Sequence, residues 1–597
     1  MRNPFKIPQE RPVVEEEAPR PDDKEAGVPA SKEAGLTSER PLSSEPDSDT
    51  DSIDKNAQAG VQKIEAITKV WTTRHLYLAY CLIWVIYFVD AIQQGMGSLL
   101  TPYVTSAFRE HSLTATTGVA ANIIGGVSKL AIAKILDVWG RPQGYLITMC
   151  LMIIGLVLMA ACQNVQTYAA AQIFYWVGYN GISYTTTVFI ADTSALKNRG
   201  LVLAYTSSPY IITVWITGPL AQSVLDGVGW RWGFGIFAIV TPFVCLPLYF
   251  LFAYNQRKAE KTGVLVRTKS GRSIFQSINH YFWEFDIVCL ILLSAGFTLF
   301  LLPFSIYSYQ KYGWKDPLTI GFIVAGVVLL GLAVAWEKYY SPVKYMPWEL
   351  LQDRTVLGAC VLAAVLFVEF YIWTAYFNSF LQVVLRLQLW QVGYIGNIYS
   401  LGSCLFSIPV GFAIRRTGRV KWVALYFGVP LTILAIGLLI QFRHVGTPLG
   451  WIIFVEIIYA FAGGACVIAE QVAVMAAAAH QHVAVVLAVE GMFSSVGGAI
   501  GGTVAGAIWT GVFPVKLMQY LPEESKANFT EIYGDLETQI LYPVGSATHA
   551  AIVHAYDDAL RNMFIAATAI TAIGLAATLA WRDIRLKDFK QVKGTVI

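Results

Sequence analysis

Apolar runs of about 20 residues recur along this chain. They fall at about 76–103, 115–137, 144–162, 167–191, 201–224, 231–254, 285–306, 318–336, 355–380, 391–414, 421–441, 451–476, 484–512 and 558–581. Each is long enough to cross roughly 30 Å of hydrocarbon. Backbone polar groups are satisfied there only in helices or closed barrels, and runs without period-two alternation predict helices. The expected fold class is therefore all-α integral membrane, with fourteen transmembrane helices. With 55% hydrophobic and 14% charged residues over 597 positions, too little polar surface is left for a soluble protein of this length. The net charge of +3 matters less than the side on which charge lies. The cysteines Cys81, Cys150, Cys162, Cys245, Cys289, Cys360, Cys404 and Cys466 sit in apolar segments without CxxC spacing, so they read as small hydrophobes. No signal peptide is recognised at the start, which leaves the first span as the targeting signal.

Two stretches echo each other across the chain. Ala133-Lys-Ile-Leu-Asp137-Val-Trp-Gly140-Arg141-Pro142 follows the second run, and Gly411-Phe-Ala-Ile-Arg415-Arg416-Thr-Gly418-Arg419-Val-Lys421 follows the tenth. Each reads as a small residue, three apolar positions, a charge, a glycine turn and basic residues. Glycine permits the reversal, and Arg/Lys hold it on the cytoplasmic side. The pattern resembles the loop after the second helix in each half of the major facilitator superfamily. The first copy keeps the family's Asp and Gly-Arg, with Ala133 where Gly is usual. The second has Arg415 in place of the acid.

The echo fits two six-helix bundles only if runs seven and eight are inserted between them. The organisation expected is a disordered cytoplasmic tail (1–70), an N-terminal bundle (71–254), a cytoplasmic loop (255–284), two extra central helices with loops (285–354), a C-terminal bundle (355–581) with an extracellular loop at 513–557, and a cytoplasmic tail (582–597). The tail 1–70 is rich in Pro, Ser, Glu and Lys and cannot offset its ordering entropy. Its Ser44, Ser48, Lys55, Lys63 and Lys69 fit phosphorylation and ubiquitination, or chance. Arg141, Lys197, Arg199, the 255–280 loop, the 415–421 turn and the C-terminal tail share one side if both termini are cytoplasmic. The sequon Asn528-Phe-Thr530 then lies outside, as a glycosylation site requires.

Further stretches narrow the resemblance. They are Asp90 with Gln93-Gln94, Ile190-Ala-Asp192, Gly229-Trp-Arg-Trp232, Glu490-Gly491, Gly497-Gly-Ala-Ile-Gly501-Gly, Ile508-Trp-Thr510, Leu521-Pro522, Tyr542-Pro-Val-Gly545-Ser546 and Ala555-Tyr556. Together they resemble the fungal siderophore–iron transporters, a fourteen-span family, over nearly the whole chain after the tail. The resemblance implies a monomeric proton symporter that imports ferric hydroxamate siderophores at the plasma membrane or in endosomal vesicles. It implies no enzyme activity, no cofactor and no nucleic-acid partner. A drug or glutathione antiporter is the nearest alternative, with Thr217-Gly218-Pro219 as its mark. A non-transporting nutrient receptor is a second, though the C-terminal tail is short for signalling.

Acids inside spans are the sharpest chemical signal, because an unpaired charge in hydrocarbon costs several kcal/mol. Asp90 lies 14 residues past Leu76 and Glu369 14 past Thr355. Both are then about 21 Å along the first helix of their halves, facing the cavity at similar depth. Burial favours the neutral form of a carboxyl, which lets such a group load and release protons near neutrality. Asp90, Glu369 and Glu470 are the expected proton carriers; fixed salt bridges or caps are the alternative. Glu456 and Glu490 lie near helix ends, where carboxylates are commonly solvated, and His480 and His482 fall in a turn. A ferric trihydroxamate brings its iron already chelated and is uncharged, so its site should be wide, aromatic and lined by neutral donors. Gln93, Gln94, Tyr179, Asn180, Tyr184, Tyr371, Trp373, Tyr376, Asn378 and Tyr399 are the expected substrate contacts. No metal ligands are expected from the protein. Asp137 with Arg141 is the expected cytoplasmic latch, by resemblance. Phe529, Tyr533, Tyr542 and Tyr556 are the expected outer lid, and Gly498-xxx-Gly502-xxx-Gly506 a packing stripe or a pivot.

Overall fold

Every apolar run is a helix in the computed structural model. The structure describes residues 70–194, 196–262, 273–307, 310–342, 348–444, 446–478 and 483–586, without the side chains of Asp137, Leu196, Lys197, Ile274 and Ala484. The spans are α1 (Thr73–Ala107), α2 (Val119–Val138), α3 (Arg141–Ala161), α4 (Val165–Thr193), α5 (Leu196–Ser207 and Tyr210–Asp226), α6 (Trp230–Lys261), α7 (Ile287–Ile306) and α8 (Pro317–Tyr339). They continue as α9 (Arg354–Thr374 and Phe377–Val383), α10 (Leu389–Gly396 and Ile398–Thr417), α11 (Lys421–Phe442), α12 (Leu449–Ala477), α13 (Val483–Tyr520) and α14 (Ala547–Leu579). Among the described residues thirteen are both long and apolar enough to cross a membrane. The exception is α4. It has the length, but Tyr168, Gln172, Tyr175, Thr185 and Thr186 lower its apolarity, and all five are buried inside the bundle.

Consecutive spans alternate in direction, so the chain has two ends. The cap end carries 108–118, 384–388 and 521–546. The turn end carries the two echoing loops. Both glycines of that echo are left-handed, Gly140 at φ 107° and Gly418 at φ 71°, a conformation that a Cβ disfavours. The second turn finds its acid elsewhere. Arg419 pairs with Asp583 at 3.7 Å, Leu586 N–H donates to the Gly418 carbonyl at 2.8 Å, and Lys421 Nζ reaches the Leu579 and Trp581 carbonyls. The C-terminal segment therefore stands in for the carboxylate that Arg415 replaced.

α7 packs on α2 and α13, and α8 packs mainly on α7. The α7–α8 contact is close because Gly326 abuts the Phe300 backbone and Gly296 abuts Leu330. The pair is thus an addition to the outside of two six-helix bundles. α13 runs on to Tyr520 and α14 starts at Ala547, so the long cap-end loop shrinks from 513–557 to 521–546. Three short helices fill it, at Glu523–Asn528, Phe529–Gly534 and Leu536–Leu541. Asn528 and Thr530 are exposed there. The tail before residue 70, the loop residues Arg267, Lys269 and Arg272, His480 and His482, and the tail from residue 587 lie outside the described residues.

Candidate functional site

Three spans break where an ordinary membrane helix would continue. α5 is interrupted at Ser208-Pro209, α9 at Ala375-Tyr376 and α10 at Asn397. Irregular backbone at membrane depth is tolerated where it lines a cavity. Tyr210, Ala375 and Asn397 all line one, of about 380 Å³, between the two bundles. Thr114–Asn122 of α2 and its approach, Gln93–Pro102 of α1 and Tyr168–Trp176 of α4 close the N-terminal side. Phe370–Asn378 and Val392–Ser400 close the other.

The wall is neutral. Among the described residues no Lys, Arg, His, Asp or Glu lines the cavity. Its polar groups are amides, phenols and hydroxyls: Gln93, Gln94, Asn122, Gln172, Asn378, Asn397, Tyr168, Tyr175, Tyr210, Tyr371 and Tyr399. Tyr210 donates its hydroxyl to Gln94 Oε1 at 3.2 Å, which fixes that amide. Gln93 differs. It is buried, yet neither its Oε1 nor its Nε2 has a hydrogen-bond partner among the described residues. A buried amide left so costs a few kcal/mol until something pairs with it.

Of the ten residues expected to touch a solute, the wall brings together Gln93, Gln94, Tyr371, Trp373, Asn378 and Tyr399. The other four are off it. Tyr179 stacks on Tyr175 (6.1 Å) behind the wall, Asn180 packs where α4 meets Gly125 of α2, and Tyr184 is buried lower in α4. Tyr376 is turned away because Trp509 stacks on its ring at 3.9 Å and its hydroxyl donates to the Ser112 carbonyl at 2.8 Å. Sequence reasoning missed Asn122, Gln172, Tyr175, Tyr210 and Asn397. Tyr168, Gln172 and Tyr175 repeat at helical spacing along α4, and that stripe was the readable signal.

The acids stand one layer back rather than in the wall. Asp90 is buried beside Ala91 and within electrostatic reach of Tyr145, Tyr175, Tyr179 and Tyr210. Among the described residues its carboxylate has no ion pair and no hydrogen bond. Glu369 Oε1 accepts from Tyr459 Oη at 2.8 Å, and Oε2 is unpaired. Tyr459 stacks on the wall residue Tyr399 at 4.7 Å and meets Trp373 edge-on at 5.6 Å. Glu369 is thus one side chain from the cavity. Glu456 is not solvated: it is 1% exposed with both oxygens unpaired, one turn of α12 from Tyr459. Glu490 is buried as well, near Glu470 and within reach of Lys129 on α2. Burial of both corrects the helix-end reading: each lies about two turns inside its helix, on a face packed against neighbouring spans.

The bundles meet on both sides of the cavity. Toward the cap end Tyr103 Oη donates to Gln382 Oε1, and α5 crosses α10 with Gly218 against the Trp390 carbonyl and Gly393. Toward the turn end Lys129 Nζ donates to the Gly491 carbonyl at 3.0 Å. Arg199, fully buried, donates to the Ala191 carbonyl at 2.9 Å and reaches Met475 of α12. Arg141 pairs with Asp192 at 3.2 Å; the side chain of Asp137 is outside the described residues.

The cap itself is packed. Tyr556 belongs to α14, is fully buried and donates to Gln539 Oε1 at 2.8 Å, so it is a support for the loop and not part of its surface. Trp509, Phe513, Tyr533 and Phe529 continue the stack from Tyr376 up into the cap. Arg386 clamps the Ile540 and Tyr542 carbonyls, and Leu536 N–H donates to Ser106 Oγ at 3.2 Å, so the loop holds both bundles.

The Major Facilitator Superfamily model matches residues 83–347. A curated relative, "MFS siderochrome iron transporter 1" of Ajellomyces capsulatus, is 60% identical over 547 residues, 92% of this chain and 93% of that protein. "MFS siderochrome iron transporter B" of Aspergillus fumigatus is 40% identical over 598 residues, 100% of this chain and 96% of that protein. The crystal structure of a bacterial homologue of the human lysosomal transporter Spinster, inward-facing and occupied, shares the fold. Its TM-score is 0.52 at 16% identity, over 87% of this chain and 99% of that one. A neutral cavity between two helix bundles, buried acids behind it and near-full-length likeness to these relatives converge: the chain belongs to the major facilitator superfamily and, within it, to the fungal siderophore iron transporters.

Proposed function

We propose that this protein imports ferric siderophores of the hydroxamate type across the plasma membrane, driven by protons. The observation that carries the reading is the uncharged wall. A chelate whose ligands have neutralised its iron presents carbonyl and amide oxygens, and phenols and amides pair with those without the desolvation penalty that a wall of Lys or Arg would add. Iron arrives as cargo already chelated, so no ligand from the wall is needed. The two relatives, both named siderochrome iron transporters, support the same cargo.

Glu369 and Asp90 are the coupling acids in this reading, with Glu470 the third, because each is buried in a span. Entry of one proton adds about 2.3 kcal/mol per 100 mV of potential, enough to concentrate a neutral solute roughly fiftyfold. The cap end faces outward, with the exposed Asn528 sequon open to glycosylation. The turn end and both termini are cytoplasmic, in line with the basic residues there. The 521–546 cap would open for the chelate and the Lys129 and Arg199 contacts would part on release. Uptake of radio-iron in defined siderophores by a transporter-deficient yeast, with and without a protonophore, tests this. Accumulation of a ferric trihydroxamate that the protonophore abolishes is expected; accumulation of none rejects the reading.

A further inference from the structure

A helix between α6 and α7 has no part in the cavity. Ile274–Glu284 opens on a capping box, Ser273 with Gln276, and ends at Asp286, whose left-handed backbone (φ 44°, ψ 57°) redirects the chain into α7. At 100° per residue Phe275, Ile278 and Phe282 fall within about 60° of arc, while Gln276, His280 and Glu284 lie on the opposite side. Those three apolar side chains are 81%, 63% and 38% exposed.

The C-terminal half is fastened to the turn end of the bundle. Trp139, one residue before the Gly140 turn, meets Tyr281 at 5.1 Å and Phe285 at 5.5 Å, both edge-on. Trp283 stacks on Trp336 of α8 at 6.2 Å. Lys134 Nζ of α2 donates to the Glu284 carbonyl at 3.4 Å. Beneath lies a buried group, Asp286, Cys289 and Glu337, whose donor atoms are within 4.8 Å of one another. Those donor types could ligate a metal. Lys134 already supplies positive charge there, and Asp286 accepts from Trp336 Nε1 (2.9 Å) and Ser341 Oγ (2.7 Å), so the group serves as an anchor.

The helix thus lies across the ends of α2 and α8 with one apolar edge uncovered, at the level where spans leave the bilayer. Arg257 and Lys261 in the last turns of α6 and Lys338 in the last turn of α8 are exposed at the same end. The acids at this end are Glu260, to which Gln256 Nε2 donates at 3.4 Å, Glu284 on the polar side of the helix, and the buried Asp286 and Glu337. An exposed apolar edge at the same end as these exposed cations matches a membrane surface of negative headgroups. We propose that the helix Ile274–Glu284 lies in the bilayer interface, held by anionic lipid, and thereby steadies the Trp139–Gly140 turn.

The proposal rests on the membrane-spanning fold and is independent of the cargo, so its test does not use transport. Amide exchange of the full chain is followed in vesicles of phosphatidylcholine with and without phosphatidylserine. Residues 275–284 should exchange roughly fivefold more slowly when phosphatidylserine is present, the effect of about one cation at an anionic surface. Phe275→Asp with Ile278→Asp should abolish protection in both vesicles, and Arg257→Gln with Lys261→Gln only the part due to phosphatidylserine. Unchanged exchange of α9–α14 in each variant would show that the fold survives. Equal exchange in the two kinds of vesicle, or the same protection from soluble glycerophosphoserine in detergent, would overturn the proposal.

Discussion

Gln93 shows what a single side chain contributes. Its amide is buried, unpaired and turned to the cavity, so it sits ready to exchange donor and acceptor with a solute. Replacing it by Leu removes the unpaired group and its hydrogen bonds to cargo together. Chelate affinity should then fall roughly tenfold, about 1.4 kcal/mol, with thermal stability equal or higher, as titration of purified protein and a melting curve would read. Glu369→Gln should leave exchange of labelled chelate across the membrane intact but cut proton-driven accumulation by roughly fiftyfold at 100 mV. A third residue reports on the cap. His111 is fully buried outside the spans, edge-on to Tyr376 at 6.3 Å and near Asp535, and burial lowers its pKa from 6.5 to about 4. The neutral ring is thus the folded form, so this part of the stability is complete above pH 6.5 and drains as pH falls toward 4. About 3 kcal/mol is at stake. Protease cleavage within 521–546 should therefore quicken below pH 6, and His111→Asn should flatten that dependence. Asp90 and Glu369 were legible in the sequence because an acid in an apolar run stands out. The orientation of a phenol was not: Tyr371 and Tyr376 lie five residues apart in the broken span α9, and Trp509 and the Ser112 carbonyl, both far away in the chain, hold Tyr376 off the cavity.

At the scale of helices, the seam between α2 and α13 is built from absent side chains. A Cβ at Gly126 would come 2.3 Å from Ser495 Cβ, and one at Gly491 would come 2.8 Å from Lys129 Nζ. Gly498 and Gly502 continue the seam beside Asn122 and Val119, while Gly497 and Gly501 press on the α9 backbone at Ala364 and Val368. The stripe read from the sequence as packing or a pivot, Gly498, Gly502 and Gly506, therefore lies between bundles, and the neighbouring Gly497 and Gly501 pack within one. Gly126→Leu should force α2 off α13 and abolish uptake; at an overpacking cost of about 1–3 kcal/mol, surface expression should be reduced but not lost. Sequence spacing identified which helices carry small residues. It could not pair Gly126 with Ser495, since 369 positions separate them and only the folded bundles bring them into register.

For the molecule as a whole, the number of spans and their alternation were readable because hydrocarbon thickness fixes helix length. α4 passed on the length of its run, and the structure explains its polarity: Tyr168, Gln172 and Tyr175 line the cavity, while Phe174 is exposed on another face. The loop boundaries at the cap end were misread by several residues, because helices that leave the bilayer become polar before they end, as α13 does through Lys516 and Tyr520. Among the described residues neither charge nor an acid, histidine or cysteine faces the cavity, so a chelate bound there as proposed would be read by its outer shape and not by the ion at its centre. Gallium, which matches ferric iron in charge and coordination but is not reduced in the cell, should therefore enter in the same chelator. Competition between gallium-loaded and iron-loaded forms for uptake should give equal inhibition constants, and a strong preference for iron would mean that recognition lies somewhere other than this wall.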